Sequence, residues 1–592
     1  MGDYKRMLLA VVIAALFIYI WTSFFAKPVP PPEPGVGADS TMAVSPGGEM
    51  PASVPPGTSD WSPPASPTDE FASGAEPGGP GTTTRSSIQT AWASTPEWTR
   101  TTVETDLCRG VLLADGGGLA SWELKDFLNL VDEPVDLVNL EQGGTSDLHL
   151  ELVSGDVRVN LDDVPFELSE VYRTDPEVSK VLKLTATDTA GASVVKTYTF
   201  YHDRYFFDLD VETEGFDSRN GLSCALTWSN GLPITESNEK SDISNFAAIS
   251  MVGEEFVKDK MGKFDKEPVK THQGNVIWTG VRSKYFVAAM IPTHGGGRAV
   301  RSWGDKDRNI VAAQLFAPMQ IAGNAASASF RVYAGPMEYN RLRALEIGLE
   351  NDVYQRFKFM APLNHLVFAL MTWTYGLTPN YGIVIILVSV LIKLVFYPLT
   401  RASLRSMNAM KKVQPELEAL KKKYKGDPKK MNQMQMELFK KHKVNPMGGC
   451  LPILVQMPIF FALYNVLVES VQLRRAPFVS WIDDLSAPDT LFHVGTFPVH
   501  VLPLIMAATQ LAQPTMGPST DSRQQMMKYM MPIFLLVIFY GLPSGLVLYW
   551  TVNNVLTALQ QYWMNRSEKA AEAAVTAAPE KPAGRKRRAK KS

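Results

Sequence analysis

Gly382–Ile383–Val384–Ile385–Ile386–Leu387–Val388–Ser389–Val390–Leu391–Ile392–Lys393–Leu394–Val395–Phe396–Tyr397 places a single cation in a strongly apolar run. A run of this kind predicts a membrane helix. A lysine at the centre of such a helix costs ~2.5–3.5 kcal/mol on insertion scales. The charge is therefore expected to face a wet or polar space inside the bilayer. Ser389 and Lys393 stand four residues apart and share a helical face, which Tyr397 extends. Lys393 precedes Arg401 by eight residues, roughly 12 Å of helix rise, so it lies within the inner leaflet. Snorkelling of the long side chain toward the headgroups is the plainer alternative.

Working outward, apolar runs at 450–470, 493–513, 527–541 and 544–563 predict further spans. Another at Met7–Ala26 follows Lys5 and Arg6 and reads as an uncleaved anchor. That makes six. Residues 362–376 are amphipathic and aromatic, which suits an interfacial helix. Segment 401–443 holds 13 Lys and Arg against four acids, so it belongs in the cytoplasm. Both termini follow it there, and residues 99–340 fall on the opposite side.

The expected division is an anchor at 1–27, a Pro/Gly/Ser-rich disordered linker at 28–98, and an extracytoplasmic β-sandwich at 99–340. A connector with the interfacial helix follows at 341–379, then a second span at 380–399 and a basic helical hairpin at 400–446. Spans three to six occupy 447–565, and a basic tail closes the chain at 566–592. Within the hairpin, Met407, Met410, Val413, Leu417, Leu420 and Tyr424 recur at helical spacing before the turn Gly426–Asp427–Pro428. Its methionines suit either a seam between the two helices or adaptable apolar contacts.

Composition conceals this segregation. The 592 residues are 45% hydrophobic with a net charge of −2, as in an ordinary soluble protein. Three cysteines make neither a disulfide framework nor a zinc site. Cys108 and Cys224 share the extracytoplasmic domain, so one bridge between them stays open. The chain contains no Walker A loop, nucleophile elbow, His-Glu-x-x-His pair or dinucleotide fingerprint. Neither catalytic residues, nor a metal, nor a cofactor, nor a small-molecule substrate is expected. His202, Asp203 and His272 read as isolated surface groups. Polar residues instead collect in the spans: Gln456 in one, and Asn553, Thr557 and Gln561 as a stripe in the last. Helix–helix contact is one use for them, and lining a hydrated cavity is the other.

Several ordered motifs carry a family resemblance. Tyr397–Pro398–Leu399–Thr400 closes the lysine helix, and Val444–Asn445–Pro446–Met447–Gly448–Gly449–Cys450–Leu451–Pro452 leads into Gln456–Met457–Pro458–Ile459–Phe460. Leu473–Arg474–Arg475–Ala476–Pro477–Phe478 and Trp481–Ile482–Asp483–Asp484–Leu485–Ser486 come next. The last hairpin holds Leu542–Pro543–Ser544–Gly545–Leu546–Val547–Leu548–Tyr549–Trp550. Together they resemble the YidC/Oxa/Alb family of membrane protein insertases, in the Gram-negative form with a large periplasmic domain.

The resemblance implies a five-helix core with a hydrophilic groove open to the cytoplasm and to lipid. Lys393 takes the place of the groove cation, usually Arg in that family, and offers a compact charge without a bidentate fork. Ser389, Gln456, Asn553 and Thr557 would line the groove, and Met457, Phe460, Phe461, Tyr549 and Trp550 would form an apolar slide for the substrate. Packing within the bundle is the alternative use of those five. Implied partners are nascent membrane proteins, the Sec translocon with its accessory subunits, the ribosome and membrane lipid. A solute transporter or channel would instead show internal repeats, and none is found among the core segments. An anchored periplasmic enzyme or glycan-binding protein would leave Lys393 without a purpose.

Overall fold

The computed structural model describes residues 100–140, 146–155, 157–216, 221–353, 360–424, 426–442, 444, 451–512 and 522–577. The expected anchor and linker, Cys450 and the basic run 585–591 lie outside them. The chain divides into two compact units, Met1–Gly335 and Pro336–Ser592.

The first unit is sheet-rich. Four antiparallel strands, Arg100–Glu104, Cys108–Leu113, Leu119–Leu128 and Pro134–Asp136, pair in chain order. A fifteen-stranded sheet occupies most of the chain between His149 and Pro336. Strand Phe206–Glu214 alternates as its sequence does, with Phe207, Leu209, Val211 and Thr213 buried. Strand Phe286–Pro292, in the middle of the sheet, is buried on both faces and is correspondingly apolar throughout. Trp122 carries the small sheet onto the large one. Its ring lies 6.0 Å from Phe200 and 5.1 Å from Phe207, and its indole N–H donates to the Ala334 carbonyl at 2.9 Å.

The turn Asp115–Gly118 shows why its glycines are needed. Gly116 and Gly117 have φ of 70° and 58°, and a Cβ at 116 would stand 2.5 Å from the Asp162 carbonyl oxygen. Buried Lys196 and Tyr198 donate to the Gly116 and Gly117 carbonyls at 2.5 and 2.6 Å. Burial pushes the Lys196 ammonium down to about 8 and the Cys224 thiol up to about 12. Cys108 and Cys224 are both buried, one in each sheet, and no disulfide joins them, so the bridge left open by the sequence does not form. His272 is not isolated: its Nε2 lies 2.7 Å from Asp259 Oδ2. A short helix, α1 (Glu239–Ile243), interrupts the strands.

The second unit is helical: α2 (Tyr339–Arg343), α3 (Ala361–Tyr375), α4 (Tyr381–Val395), α5 (Tyr397–Lys423) and α6 (Pro428–Lys441). There follow α7 (Leu451–Glu469), α8 (Val501–Leu511), α9 (Ser522–Phe539) and α10 (Ser544–Ala577). Helix α10 packs along α4 and α8, while α3 lies against α4 and α7. Asn380 caps α4 by accepting from Ile383 N at 3.1 Å. Asp427 caps α6 in the same way through Lys430 N, with Pro428 at the first helical position.

Two expected spans are altered. The helix expected through 399 stops at Val395, and α4 and α5 meet at 67° across Phe396. Pro398 explains the break, since it has no N–H to donate and its ring would collide with the preceding turn. The run 493–513 is not one helix: Phe492–Val494 and Phe497–Val499 form a β-hairpin, and α8 begins only at Val501. By length and composition no single described helix is long and apolar enough to cross a membrane, whereas α4 together with Tyr397–Met410 is.

Candidate functional site

Lys393 lies on the last turn of α4, half-buried and three residues before the break. Its ammonium donates to Asn553 Oδ1 at 2.9 Å and to Thr557 Oγ1 at 2.7 Å. Asn553 and Thr557 are one helical step apart on α10 and present their oxygens to the same point. The Thr557 hydroxyl proton goes to the Asn553 carbonyl at 2.6 Å, which leaves its lone pairs for the lysine. Among the described residues no carboxylate pairs with Lys393. An ammonium has three N–H groups, so one remains for another acceptor.

The other expected lining residues are arranged differently. Ser389 is buried, and its hydroxyl returns to the Ile385 carbonyl of its own helix at 2.6 Å. Gln456 donates weakly to Tyr549 Oη at 3.4 Å rather than meeting Lys393. Of the expected slide, Tyr549 is buried, while Met457, Phe460, Phe461 and Trp550 are half-buried. Phe460 meets Phe461 at 5.6 Å, Phe539 at 6.2 Å and Trp550 at 5.2 Å, so these rings join α7, α9 and α10 in one aromatic cluster. The Trp550 indole N–H and both polar atoms of Asn465 are buried in the bundle without a hydrogen bond.

Asp489 was not expected to matter. Its Oδ2 accepts from Val501 N at 2.9 Å, Leu502 N at 2.8 Å and Trp481 Nε1 at 3.0 Å. It thereby caps α8 from a distance of twelve residues, beyond the reach of a local capping pattern. In the basic hairpin, Val413, Leu438 and Phe439 are buried and make the seam between α5 and α6, whereas Met436 is exposed.

The exterior of the bundle is apolar. Val395 is 70% exposed, Val537 74% and Trp563 74%. Surface of that kind in quantity belongs against lipid or protein. Fold and site together define a helical unit with an apolar exterior, in which Lys393 is held by two neutral oxygens, joined in sequence to a sheet-rich domain.

The family described as 60Kd inner membrane protein matches residues 373–572, and the YidC periplasmic domain matches 100–362. The membrane protein insertase YidC of Syntrophus aciditrophicus is 34% identical over 577 residues, 95% of this chain and 99% of that one. That of Geobacter sulfurreducens is 36% identical over 408 residues, covering 68% of this chain and 74% of the relative. A crystal structure of an active YidC insertase with its first transmembrane domain resolved covers 80% of this chain and 94% of its own, at 20% identity and a TM-score of 0.35. The chain belongs to the YidC family of membrane protein insertases, inner-membrane proteins with a periplasmic domain.

Proposed function

We propose that this chain inserts and folds nascent integral membrane proteins through a cytoplasm-open groove centred on Lys393, alone or with the Sec translocon and its accessory subunits. The observation that carries the reading is the Lys393 ammonium held by Asn553 and Thr557, with no carboxylate beside it among the described residues. A cation solvated by neutral oxygens keeps its field for an incoming acidic flank, which a paired cation would have cancelled. The flank is desolvated over a shorter distance, and the hydrophobic segment moves past Met457 and the aromatic cluster into lipid. Burial of roughly 20 apolar residues supplies the driving force, with neither covalent chemistry nor a nucleotide.

The same reading takes six spans, the first of them at 1–27, with five in the core, and both termini in the cytoplasm. It takes a β-sandwich at 99–340, and a basic hairpin at 400–446 that meets ribosomes or anionic lipid headgroups. Reconstitution in liposomes tests it, using a single-span substrate with an acidic translocated flank. Lys393→Arg is expected to insert that substrate, Lys393→Ala to insert it poorly and Lys393→Glu to fail. Insertion by Lys393→Glu at the wild-type level would sink the charge role.

A further inference from the structure

We infer that the β-hairpin Phe492–Val499 is a membrane anchor seated in the periplasmic leaflet beside the start of α8, an inference that rests on the membrane placement of α8 proposed above. The hairpin turns through Gly495 and Thr496, with Gly495 at φ 63°, the conformation a two-residue turn with glycine first requires. Pairing sets Phe492 opposite Val499 and Val494 opposite Phe497, and opposed residues share a face. One face is thus wholly apolar. Phe492, Val494 and Phe497 are exposed on it by 50%, 63% and 59%.

Three observations select lipid as what covers that face. The first is charge. Between Thr490 and Ala512 there is no Lys, Arg, Asp or Glu, whereas the preceding loop carries Arg474, Arg475, Asp483, Asp484 and Asp489. The boundary between polar loop and uncharged segment therefore falls at the base of the hairpin. The second is continuity. Asp489 fixes that base against the first turn of α8, and the exposed side chains Leu504 and Ile505 of α8 follow directly. Helix α8 has 11 residues, about 16 Å of rise against a hydrocarbon layer of about 30 Å. The third is backbone satisfaction. The strands pair with each other, and Leu491 N donates to Val499 O at 3.1 Å, which relieves part of the cost that apolar surroundings impose on free peptide groups.

The hairpin is also held in place. Phe497 stacks on Tyr540 at 5.6 Å, and the Tyr540 hydroxyl donates to the Pro498 carbonyl at 2.8 Å. Its exposed face is consequently presented in a fixed direction.

The test places a fluorophore on Val494→Cys, Leu504→Cys or Asp483→Cys in the full chain with Cys450→Ser, Cys108 and Cys224 being buried. Each protein is reconstituted in phosphatidylethanolamine–phosphatidylglycerol vesicles and quenched with spin-labelled lipid or aqueous iodide. Lipid is expected to quench positions 494 and 504 several-fold more than 483, with iodide in the reverse order. Iodide quenching at 494 with lipid quenching at 504 overturns the anchor and leaves α8 in the membrane. Protection of 494 from both quenchers means that protein covers the face, as a second copy or the sheet-rich unit would, and overturns it too. Failure of lipid to quench 504 removes the membrane placement of α8 and the anchor with it.

Discussion

Thr557 accepts a hydrogen bond from Lys393 through the oxygen whose own proton is committed to the Asn553 carbonyl. The hydroxyl is thus oriented before the ammonium arrives. Thr557→Val keeps the shape and removes the acceptor, and should lower the unfolding free energy in detergent by about 1 kcal/mol. Thr557→Ser should restore it. Equal stability of the valine variant and wild type would show that the contact contributes nothing.

Asn465 has the opposite expectation. Its side chain is fully buried on α7 with neither polar atom paired. Replacing such a group by an apolar one of similar size removes a desolvation cost of about 1–3 kcal/mol. Asn465→Leu should therefore raise the melting temperature in detergent micelles. A fall would mean that water occupies the site and bonds the amide.

Gly382 on α4 is fixed by its neighbour. A Cβ there would stand 1.9 Å from Cδ2 of Phe478. Phe478 cannot easily retreat, because its carbonyl accepts from Asn380 Nδ2 and its N–H donates to Ile482 O. Gly382→Ala should destabilise by about 1–3 kcal/mol, and Phe478→Ala in the same chain should recover part of the loss. Denaturant titration of the single and double variants measures both.

The sheet-rich unit should respond to alkali through two groups of opposite sign. Lys196 ionises near 8 when folded against an ordinary 10.5. Below pH 8 both states hold its proton, and the folded state bears the full cost of the buried ammonium. As pH rises from 8 to 10.5 the unfolded chain holds more protons at this site, so stability rises. Cys224 sits near 12 when folded against an ordinary 9. Between 9 and 12 the folded chain holds more protons there, so stability falls. Cys224→Ala should unmask a rise of order 1–3 kcal/mol between pH 8 and 10. Lys196→Met should leave only the fall above 9. Tryptophan fluorescence during denaturation, followed against pH, distinguishes the two slopes, and parallel slopes in both variants would contradict the assignment.

Much of the site was legible because polarity is conspicuous in an apolar helix. Lys393 stood out by cost, and Asn553 and Thr557 by helical spacing. Ser389 shares a helical face with Lys393, but its hydroxyl bonds the Ile385 carbonyl of its own helix, which a shared face alone does not tell. In the sheet-rich unit, strands such as Ser193–Tyr201 and Phe206–Glu214 alternate visibly in the sequence. The strands Ala247–Val252 and Ile310–Pro318 are buried on both faces and so lack that alternation. The break at Phe396 had a signal in Pro398. The hairpin had one too, in Gly495–Thr496 between alternating apolar residues, but the hydrophobicity of the whole run outweighed it.

The neutral cradle of Lys393 also bears on turnover. On the proposed reading, a carboxylate that entered would compete with an amide and a hydroxyl for the ammonium, and both would stay in place to hold it when the carboxylate departs. Residence is short when the vacated partner is always at hand. An insertase has to surrender each client to the lipid, and in the proposed groove a cation parked on neutral oxygens would suit letting go.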